Sequence, residues 1–484
     1  MKAPDKHDEA LSGWTPSCTG LVGLLLIALG LRLILVFHGG EHFWADEGRY
    51  DAATEAWRKW AEGHFREGWL LIIGSADHLG FKLMMLGPAW LQTHWHDDFR
   101  IPGVTLSLFS TANIHWVWRI ARRAGAGERE AFWGALTMAG ANSMFYWSRH
   151  AVPYDLSLFW ALACLYVTLN PAGRILDSLL AGFLGFMAFV TYNGYWAIIA
   201  CVLTGHVLLA VGAWRRFFLR TFFGLLGLVT PYVLLILGAG ALQIDLLDSY
   251  VNFAGTISQG DFNEGYVVFF DYLWRAEGFT VVIWALALAL TPWYVRRTEG
   301  EARRRGLLWA GTIVALAAIL IMGSNVFGIF VVYGRLARQV APFCALLVGW
   351  MAGQVFRENR GGGRLELLAM AGLVACGLWA EWTPLWQDFP VPFHRRAVGV
   401  VNAYRTEHLK SDPELVAPQK FRFLYNGFIW PMPDEAPLPP NYLVLLASPH
   451  PLSWRPYLYE GFNRAQRDKI LATDVTMRVV LLKD

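Results

Sequence analysis

Two carboxylates, an arginine and a tyrosine stand together directly after the first long apolar run, where residues 46–50 read DEGRY. Charged groups at the edge of a membrane are costly and usually serve a function. If a helix begins at Asp46, Arg49 and Tyr50 lie on the same side of it, three and four residues later. The guanidinium favours the ionised carboxylate while partial burial raises its proton affinity, which suits a general base. Asp46 and Glu47 could equally be an N-cap and a solvated first turn.

A second polar group, SRHAVPYD at 148–155, lies between two predicted spans. Pro153 is expected to turn the chain, so that Asp155 begins the next span with its carboxylate at the mouth of the bundle. Arg149 ends the previous span, and His150 follows it. The alternative is a capped turn with an arginine that reaches out to the lipid headgroups.

Further cations could hold a phosphate. Arg335 and Arg338 lie three residues apart and share a helix face, as a phosphate or pyrophosphate clamp requires. Contact with lipid headgroups is the alternative for this pair. Lys82 lies inside an otherwise apolar segment and is another candidate phosphate ligand, whereas Arg32, in the first span, is expected to extend outward to the interface.

A metal site is the weaker interpretation of the histidines. His78, His94 and His96 flank the apolar segment 79–95, with Asp97 and Asp98 beside them. On a helix, the rings of residues two apart point in different directions, which does not suit zinc. The sequence requires no cofactor, although a divalent metal stays open. The five cysteines show no disulfide framework.

The elements that position these residues are membrane helices. Of the 484 residues, 55% are hydrophobic and 16% charged, against roughly 25% charged in soluble domains. The first apolar run lacks the features of a cleaved signal peptide and is interpreted as an anchor. The runs predict a mostly helical, polytopic bundle of about eleven spans: 21–37, 101–118, 131–147, 155–169, 175–192, 194–213, 217–239, 279–295, 307–332, 336–356 and 365–382.

Arginine-rich short loops alternate with loops that carry few cations, which places the arginine-rich ones in the cytoplasm. The same rule places the loops 38–100 and 240–278 and the tail 383–484 outside. One face therefore gathers the polar groups described above. The net charge of +3 gives no reason to expect nucleic-acid binding.

Two outer regions have local structure of their own. Tyr50, Ala53, Trp57 and Trp60 recur at helical spacing, which predicts an interfacial helix in the first loop. The segment 79–95 is expected to be a second interfacial or re-entrant piece. The tail combines a helical stretch at 395–409 with extended runs at 442–446 and 477–482, which predicts a small C-terminal α/β domain, 383–484, after a membrane domain, 1–382.

In this order, DEGRY after the first span, Arg149 to Asp155 and Tyr333 to Pro342 resemble the GT-C glycosyltransferases. The likeness is to family 39 and its relatives, the protein O-mannosyltransferases and ArnT-type aminoarabinose transferases, over roughly 20–380. It implies a GT-C fold and transfer of a sugar from a polyprenyl phosphate on the outer face. Asp46 matches the catalytic acid of that family and Asp155 its second acid. Lys82 matches a lysine that precedes paired prolines, but Leu83 and Met84 follow it here.

The hypothesis is an inverting transfer with Asp46 as general base. Glu47 assists it, and Arg49, Lys82, Arg149, Arg335 and Arg338 serve the donor phosphate. Tyr50, His78 and His150 are assigned to substrate binding. A covalent intermediate on Asp46 stays open.

The expected partners are a polyprenyl-phosphate sugar, membrane lipid and a glycan, lipid or protein acceptor, bound by a monomer in the bacterial inner membrane with its site on the periplasmic side. No nucleotide sugar is expected, because no phosphate-binding glycine loop occurs in the sequence. The alternative functions are a transporter or flippase for a lipid-linked or anionic substrate, and a scaffold.

Overall fold

The computed structural model describes residues 18–38, 48–95, 98, 100–170, 173–208, 210, 213–258, 266–326, 334–357 and 363–386, together with four short strands. Two 3₁₀ turns, Asn193–Tyr195 and Gly334–Val340, precede α-helices. The α-helices of the described residues are α1 (Cys18–His38), α2 (Gly48–Ala61), α3 (Phe65–Ile73), α4 (Leu79–Met84), α5 (Leu86–His94), α6 (Arg100–Arg123), α7 (Glu128–Ala139), α8 (Asn142–Trp147), α9 (Tyr154–Thr168), α10 (Ile175–Thr191), α11 (Trp196–Leu208), α12 (Trp214–Ala241), α13 (Leu246–Ser258), α14 (Val268–Glu277), α15 (Phe279–Arg297), α16 (Gly300–Asn325), α17 (Ala341–Arg357) and α18 (Gly363–Trp386).

The protein is a multi-pass membrane protein. Within the described residues, six helices are long and apolar enough to cross a bilayer, and each overlaps a span predicted from the sequence. Three more predicted spans are the shorter apolar helices α9, α10 and α11. The total of about eleven spans stays a prediction. The six segments are Thr19–Phe37, Trp214–Ala241, Phe279–Arg297, Gly300–Gly323, Leu336–Phe356 and Gly363–Glu381.

The prediction of one continuous span over 131–147 is wrong, because the chain forms two helices there, α7 and α8. The break follows Gly140, whose Cα packs closely against Gly377 of α18. The first backbone N–H groups of α8 have no partner within that helix. A buried carboxylate, Glu277, accepts them instead, which makes the interruption stable inside the bundle.

The first outer loop contains the predicted helix over 48–61. Its apolar face is buried, as the spacing of Tyr50 and Ala53 indicated, and Trp57 and Trp60 are half-buried at its edge. This face packs on α4 and α5, where the Trp57 indole N–H donates to the carbonyl of Leu86 at 2.8 Å. The segment 79–95 is therefore two short helices that support α2, and its position relative to a bilayer stays a prediction.

A shared core joins the first-loop helices to the bundle. Tyr50 of α2, Phe81 of α4, Leu106 of α6 and Leu156 of α9 belong to one buried cluster, together with Ala151 of the turn before α9. Burial of large apolar side chains contributes roughly 1.5–3 kcal/mol each. The packing thus fixes two of the polar segments singled out above, around 49 and around 150, against the same helices.

The tail contains a four-stranded sheet made of β1 (Phe421–Tyr425), β2 (Phe428–Pro431), β3 (Asn441–Leu446) and β4 (Arg478–Lys483). The strand order is β2-β1-β3-β4, with β1 and β3 parallel and the outer pairs antiparallel. Strands β3 and β4 coincide with the extended runs expected from the sequence. The expected helix at 395–409 lies outside the described residues, so the α/β domain stays a prediction.

Candidate active site

Four residues of the first loop form what we call the first-loop cluster: Arg49, Asp77, His78 and Lys82. Arg49 donates from Nε and Nη2 to Oδ2 of Asp77, at 2.7 and 2.6 Å. The other oxygen, Oδ1, lies 3.0 Å from Nδ1 of His78. Burial raises the pKa of Asp77, but His78 and Arg49 outweigh burial and hold that pKa well below its usual value. Asp77 is therefore a permanent anion between its two neighbours.

The turn that carries Asp77 is held in place from both sides. His78 has a left-handed backbone with φ of 50°, a conformation that histidine adopts more readily than most residues. The backbone N–H of Asp77 donates to Ser75 Oγ at 3.2 Å, and that of Ala76 donates to Ser249 Oγ at 2.8 Å. Because Ser249 belongs to α13, the turn is fixed to the second outer loop as well as to α4.

Lys82 is the second cation of the first-loop cluster and is only 4% exposed. Helix α4 lies very close to the end of α10, because a Cβ at Gly80 would come within 2.8 Å of the backbone nitrogen of Thr191. Burial lowers the pKa of Lys82 to about 8, while Asp77 raises it and Arg49 lowers it further. The ammonium has no ion pair or hydrogen bond with any other described residue. A buried cation in this state favours an anionic ligand.

Tyr50 lies beside the first-loop cluster and is fully buried. Its hydroxyl donates to Oε1 of Gln92 at 2.7 Å, so the ring is fixed between α2 and α5. The predicted role of Tyr50 in substrate binding is not tested by this contact, which shows that the residue also joins two helices.

Asp155 and Arg338 form a second acid–arginine contact, which we call the bundle pair. Asp155 lies in the first turn of α9, which begins at Tyr154, directly after Pro153. Nη2 of Arg338 donates to its Oδ1 and contacts Sδ of Met144 at 3.1 Å. Nε and Nη1 of Arg338 and Oδ2 of Asp155 have no hydrogen-bond partner among the described residues. The pair therefore has both donor and acceptor capacity left for another molecule.

The expectation that Arg32 extends outward is wrong. Arg32 is 1% exposed and donates from Nε to Ser110 Oγ at 2.9 Å, and from Nη1 to the carbonyl of Ala28 at 3.1 Å. Its guanidinium also lies 5.7 Å from the centre of the Phe145 ring. Helical position alone does not tell which side of an apolar helix faces lipid, and here the arginine faces α6.

Arg149 and His150 lie in the turn after α8. Nε of Arg149 donates to Nε2 of His150 at 3.2 Å, and the guanidinium lies 4.9 Å from the centre of the Tyr146 ring. His150 is buried, with its ring 5.5 Å from that of Trp147. The two residues share one polar site after the C-terminal end of α8, and their predicted roles stay predictions.

A series of rings connects the first-loop cluster to the bundle pair. The His78 ring lies 5.0 Å from the Tyr192 ring, which lies 4.8 Å from that of Tyr154. Arg338 in turn lies 5.6 Å from the centre of the Tyr154 ring. The structure thus brings the loop residues and the bundle residues into one region, as the sequence interpretation requires.

Glu277 is a buried acid that the sequence interpretation missed. Its carboxylate accepts the backbone N–H groups of Asn142 at 2.7 Å and Ser143 at 3.1 Å, and the Asn142 side chain donates to the carbonyl of Ala276 at 2.7 Å. Burial raises the pKa of Glu277 to about 7, against the hydrogen bonds from α8. The signal that could have found it is Gly278, whose φ of 53° ends α14 and turns the acid inward.

Several predicted site residues lie outside the described residues: Asp46, Glu47, the side chain of Arg335, and His96 and Asp97. Their roles stay predictions. Arg49 and Tyr50, which directly follow the acidic pair, are placed as described above. Among the described residues, no group of three or more histidine, cysteine or acidic side chains could hold a metal ion.

Among solved structures, the chain is similar to ArnT from Cupriavidus metallidurans bound to undecaprenyl phosphate. The TM-score is 0.50, and the sequence identity is 18% over 83% of this chain and 73% of that one. The apo state of the same protein gives a TM-score of 0.50 and 17% identity over 81% and 71% of the two chains. The fold is of the GT-C type. The archaeal oligosaccharyltransferase AglB from Archaeoglobus fulgidus also matches, with a TM-score of 0.45 and 9% identity over 80% of this chain and 58% of that one.

The GT-C fold confirms the resemblance noted in the sequence at the level of architecture. No protein-family model matches the sequence, and no curated protein matches it. Membership of family 39 therefore stays a prediction.

Proposed function

We propose that this protein is a membrane glycosyltransferase that takes a sugar from a polyprenyl-phosphate donor and passes it to an acceptor on the extracytoplasmic face. The observation that carries the proposal is the first-loop cluster, in which Arg49, two residues after Glu47 in the sequence, and the buried Lys82 are brought together around Asp77. ArnT, which shares the fold, was solved with undecaprenyl phosphate bound.

The first-loop cluster has the chemistry of a site for the donor phosphate. The planar guanidinium of Arg49 can bind two phosphate oxygens at once, and the ammonium of Lys82 supplies a point charge. Both are partly or largely withdrawn from water, where an opposite charge is attracted more strongly than at a solvated surface. Arg149 and Arg335 are assigned to the same donor as further cations, and His78 lines the site.

Asp46 is the proposed general base, with Glu47 beside it. The acceptor hydroxyl gives its proton to Asp46 as its oxygen forms a bond to the anomeric carbon, while the bond from that carbon to the phosphate oxygen breaks. The bonding electrons leave with the lipid phosphate, whose added negative charge is stabilised by Arg49 and Lys82. Fixed cations aimed at developing charge are usually the largest catalytic contribution.

Asp155 is proposed to shape the pocket rather than to transfer a proton. It holds one nitrogen of Arg338 inside the bundle, where Nε and Nη1 of that arginine have no hydrogen-bond partner among the described residues. Tyr50 and His150 complete the proposed contacts to substrate. The transferred sugar is a hexose or a pentose, and the acceptor a lipid, an envelope glycan or a protein. We place the enzyme in a bacterial inner membrane with its site on the periplasmic side.

The test is a transfer assay with the purified full-length protein in nanodiscs and a panel of polyprenyl-phosphate sugars, read by mass spectrometry of donor and acceptor. Wild type is expected to consume at least one donor, and Asp46→Asn to lose turnover while it still binds polyprenyl phosphate. Glu55→Gln is the control, because Glu55 pairs with Arg58 on a solvated side of α2.

The same assay separates a transferase from a flippase. A flippase moves the intact lipid-linked sugar between leaflets and leaves the bond from sugar to phosphate unbroken. Movement without cleavage, equal in wild type and in Asp46→Asn, would contradict the proposal.

A further inference from the structure

The first-loop cluster contains an anion where a phosphate site needs cations. Asp77 accepts Nε and Nη2 of Arg49 on one oxygen, Oδ2, and it is close enough to Lys82 to raise the pKa of that lysine. The cluster thus places one anion, Asp77, beside the two cations Arg49 and Lys82. Removal of Asp77 would leave a stronger phosphate site, so its presence there needs a reason.

The charges of donor and product supply that reason, on the basis of the proposed function. A polyprenyl-phosphate sugar is a phosphodiester with one negative charge. The lipid phosphate that remains after transfer is a monoester, which carries about −1.5 to −2 at neutral pH. A site made of cations alone therefore binds the product more tightly than the donor, and slow product release limits many enzymes.

We propose that Asp77 is a positioning residue that competes with the lipid phosphate for Arg49 and so speeds release of the monoester product. Before the donor binds, Asp77 holds the guanidinium at the start of α2. When the donor is bound, Arg49 turns to the phosphate, and when the sugar has left, Asp77 recovers the arginine. No covalent bond or proton changes hands in this exchange.

The two oxygens of Asp77 make such an exchange feasible. Arg49 uses Oδ2 alone, whereas Oδ1 faces Nδ1 of His78 at 3.0 Å. Asp77 therefore keeps one partner when it gives up the other. Its backbone is also fixed, through Ser75 Oγ and, one residue earlier, Ser249 Oγ, so the carboxylate stays in place while the longer arginine side chain moves.

Arg49 and Asp77 are both partly exposed, so a ligand that comes from the solvent can reach them. The side chains of Arg49 and Asp77 are 24% and 27% exposed. An ion pair in contact with water is worth little net free energy, because solvent replaces either partner. A phosphate that approaches from the solvent side can thus displace Asp77 at low cost.

The experiment measures binding of undecaprenyl phosphate to the full-length protein in detergent, together with single-turnover and steady-state transfer rates. Asp77→Asn is expected to bind undecaprenyl phosphate about ten-fold more tightly, or about 1.4 kcal/mol. Its steady-state rate should fall while its single-turnover rate stays within about three-fold of wild type, as expected when release becomes limiting. Asp77→Ser, which also removes the charge, should behave alike, and Asp77→Glu should restore wild-type values.

Glu55→Gln is the matched control, because it removes an acid that pairs with an arginine of α2 away from Lys82, and no change is expected. Weaker or unchanged binding in both Asp77→Asn and Asp77→Ser would overturn the proposal and show that Asp77 only supports the fold of the loop. If wild type binds no undecaprenyl phosphate and transfers from no donor, the proposed function fails and this inference with it. Binding by wild type without tightening in the variants overturns the inference alone.

Discussion

The first-loop cluster and the bundle pair each contain an arginine bonded to an aspartate, in very different surroundings. The side chains of Arg49 and Asp77 are 24% and 27% exposed, and Lys82 and His78 lie beside them. Arg338 and Asp155 are 0% and 2% exposed, with Met144 and Tyr154 as neighbours. The same two functional groups are thus placed once at the edge of solvent and once inside the helix bundle.

Solvent exposure decides what each pair can do. Water stabilises either partner of an exposed pair when the other leaves, so the first-loop cluster can exchange an internal anion for a ligand. Loss of one partner from a buried pair leaves an uncompensated charge, which costs several kcal/mol. We therefore assign ligand exchange to the first-loop cluster and the fixed geometry of the site to the bundle pair. Variants at both sites test this division.

The largest effect is expected from the bundle pair. Asp155→Ala should lower the free energy of unfolding by about 3–5 kcal/mol, because it leaves the Arg338 guanidinium buried without its anion. Thermal unfolding in detergent, followed by circular dichroism, measures this loss. Asp155→Asn combined with Arg338→Gln should recover much of it, since no charge then remains buried. Asp77→Ala, at the half-buried pair, should cost clearly less, because water can reach the Arg49 guanidinium that is left; equal losses at the two pairs would contradict the division.

Loss of Lys82 should affect catalysis rather than stability. Lys82→Met removes one cation from the leaving phosphate and is expected to raise the activation free energy by about 2–4 kcal/mol, a rate loss of roughly 10²–10³. Single-turnover transfer measures the effect, and the melting temperature should not fall, because a buried unpaired charge is removed. Lys59→Met, at a lysine that pairs with Glu62 on the exposed side of α2, is the control. A rate loss of the same size in both variants would count against a phosphate role.

The pH dependence of ligand binding should report Lys82. Its pKa of about 8 lies below the usual 10.5, mainly because of burial. The ammonium is protonated below pH 8 and loses its charge as the pH rises through that value, so affinity for undecaprenyl phosphate should fall several-fold between pH 7 and 9. Lys82→Arg, which keeps its charge, should show a flat profile. Identical profiles in the two proteins would show that another group governs binding.

The smallest effect of a single substitution, measured at low pH, is expected at Glu277. Burial raises the pKa of Glu277 from 4.5 to about 7. Between these two pH values the folded state therefore holds a proton that the unfolded state has released. Stability should therefore decline as the pH rises from about 4.5 to 7, and Glu277→Gln should remove that slope. Loss of one acceptor for the start of α8 should cost about 1 kcal/mol at low pH. Unfolding at several pH values measures both changes, and a slope that persists in the variant would exclude Glu277 as its source.

Periodicity and turn residues predicted the local elements well. The spacing of Tyr50 and Ala53 indicated the buried face of α2, and Pro153 indicated the start of α9, which begins at Tyr154, one residue before the predicted Asp155. Six of the predicted spans correspond to helices that are long and apolar enough to cross a membrane. These features depend on neighbours along the chain, which a sequence displays directly.

Contacts between distant segments could not be predicted in the same way. The break between α7 and α8 depends on Glu277, which accepts hydrogen bonds from the backbone N–H groups of Asn142 and Ser143, 135 and 134 residues earlier in the chain. Arg32 turned inward because Ser110 of α6 accepts its Nε, and no pattern within α1 indicates that partner. Asp77 was overlooked because its importance comes from Arg49, which lies 28 residues earlier. Positions of charged groups could be read from the sequence, but their partners could not.

The most direct test of the account is native mass spectrometry of the full-length protein purified from its membrane, with wild type, Arg49→Gln, Lys82→Met and Lys59→Met prepared side by side. The account predicts a polyprenyl-phosphate species bound to wild type and to Lys59→Met, and its loss from Arg49→Gln and Lys82→Met. Equal retention in all four proteins, or no polyprenyl species in wild type, would contradict a lipid-phosphate site at the first-loop cluster.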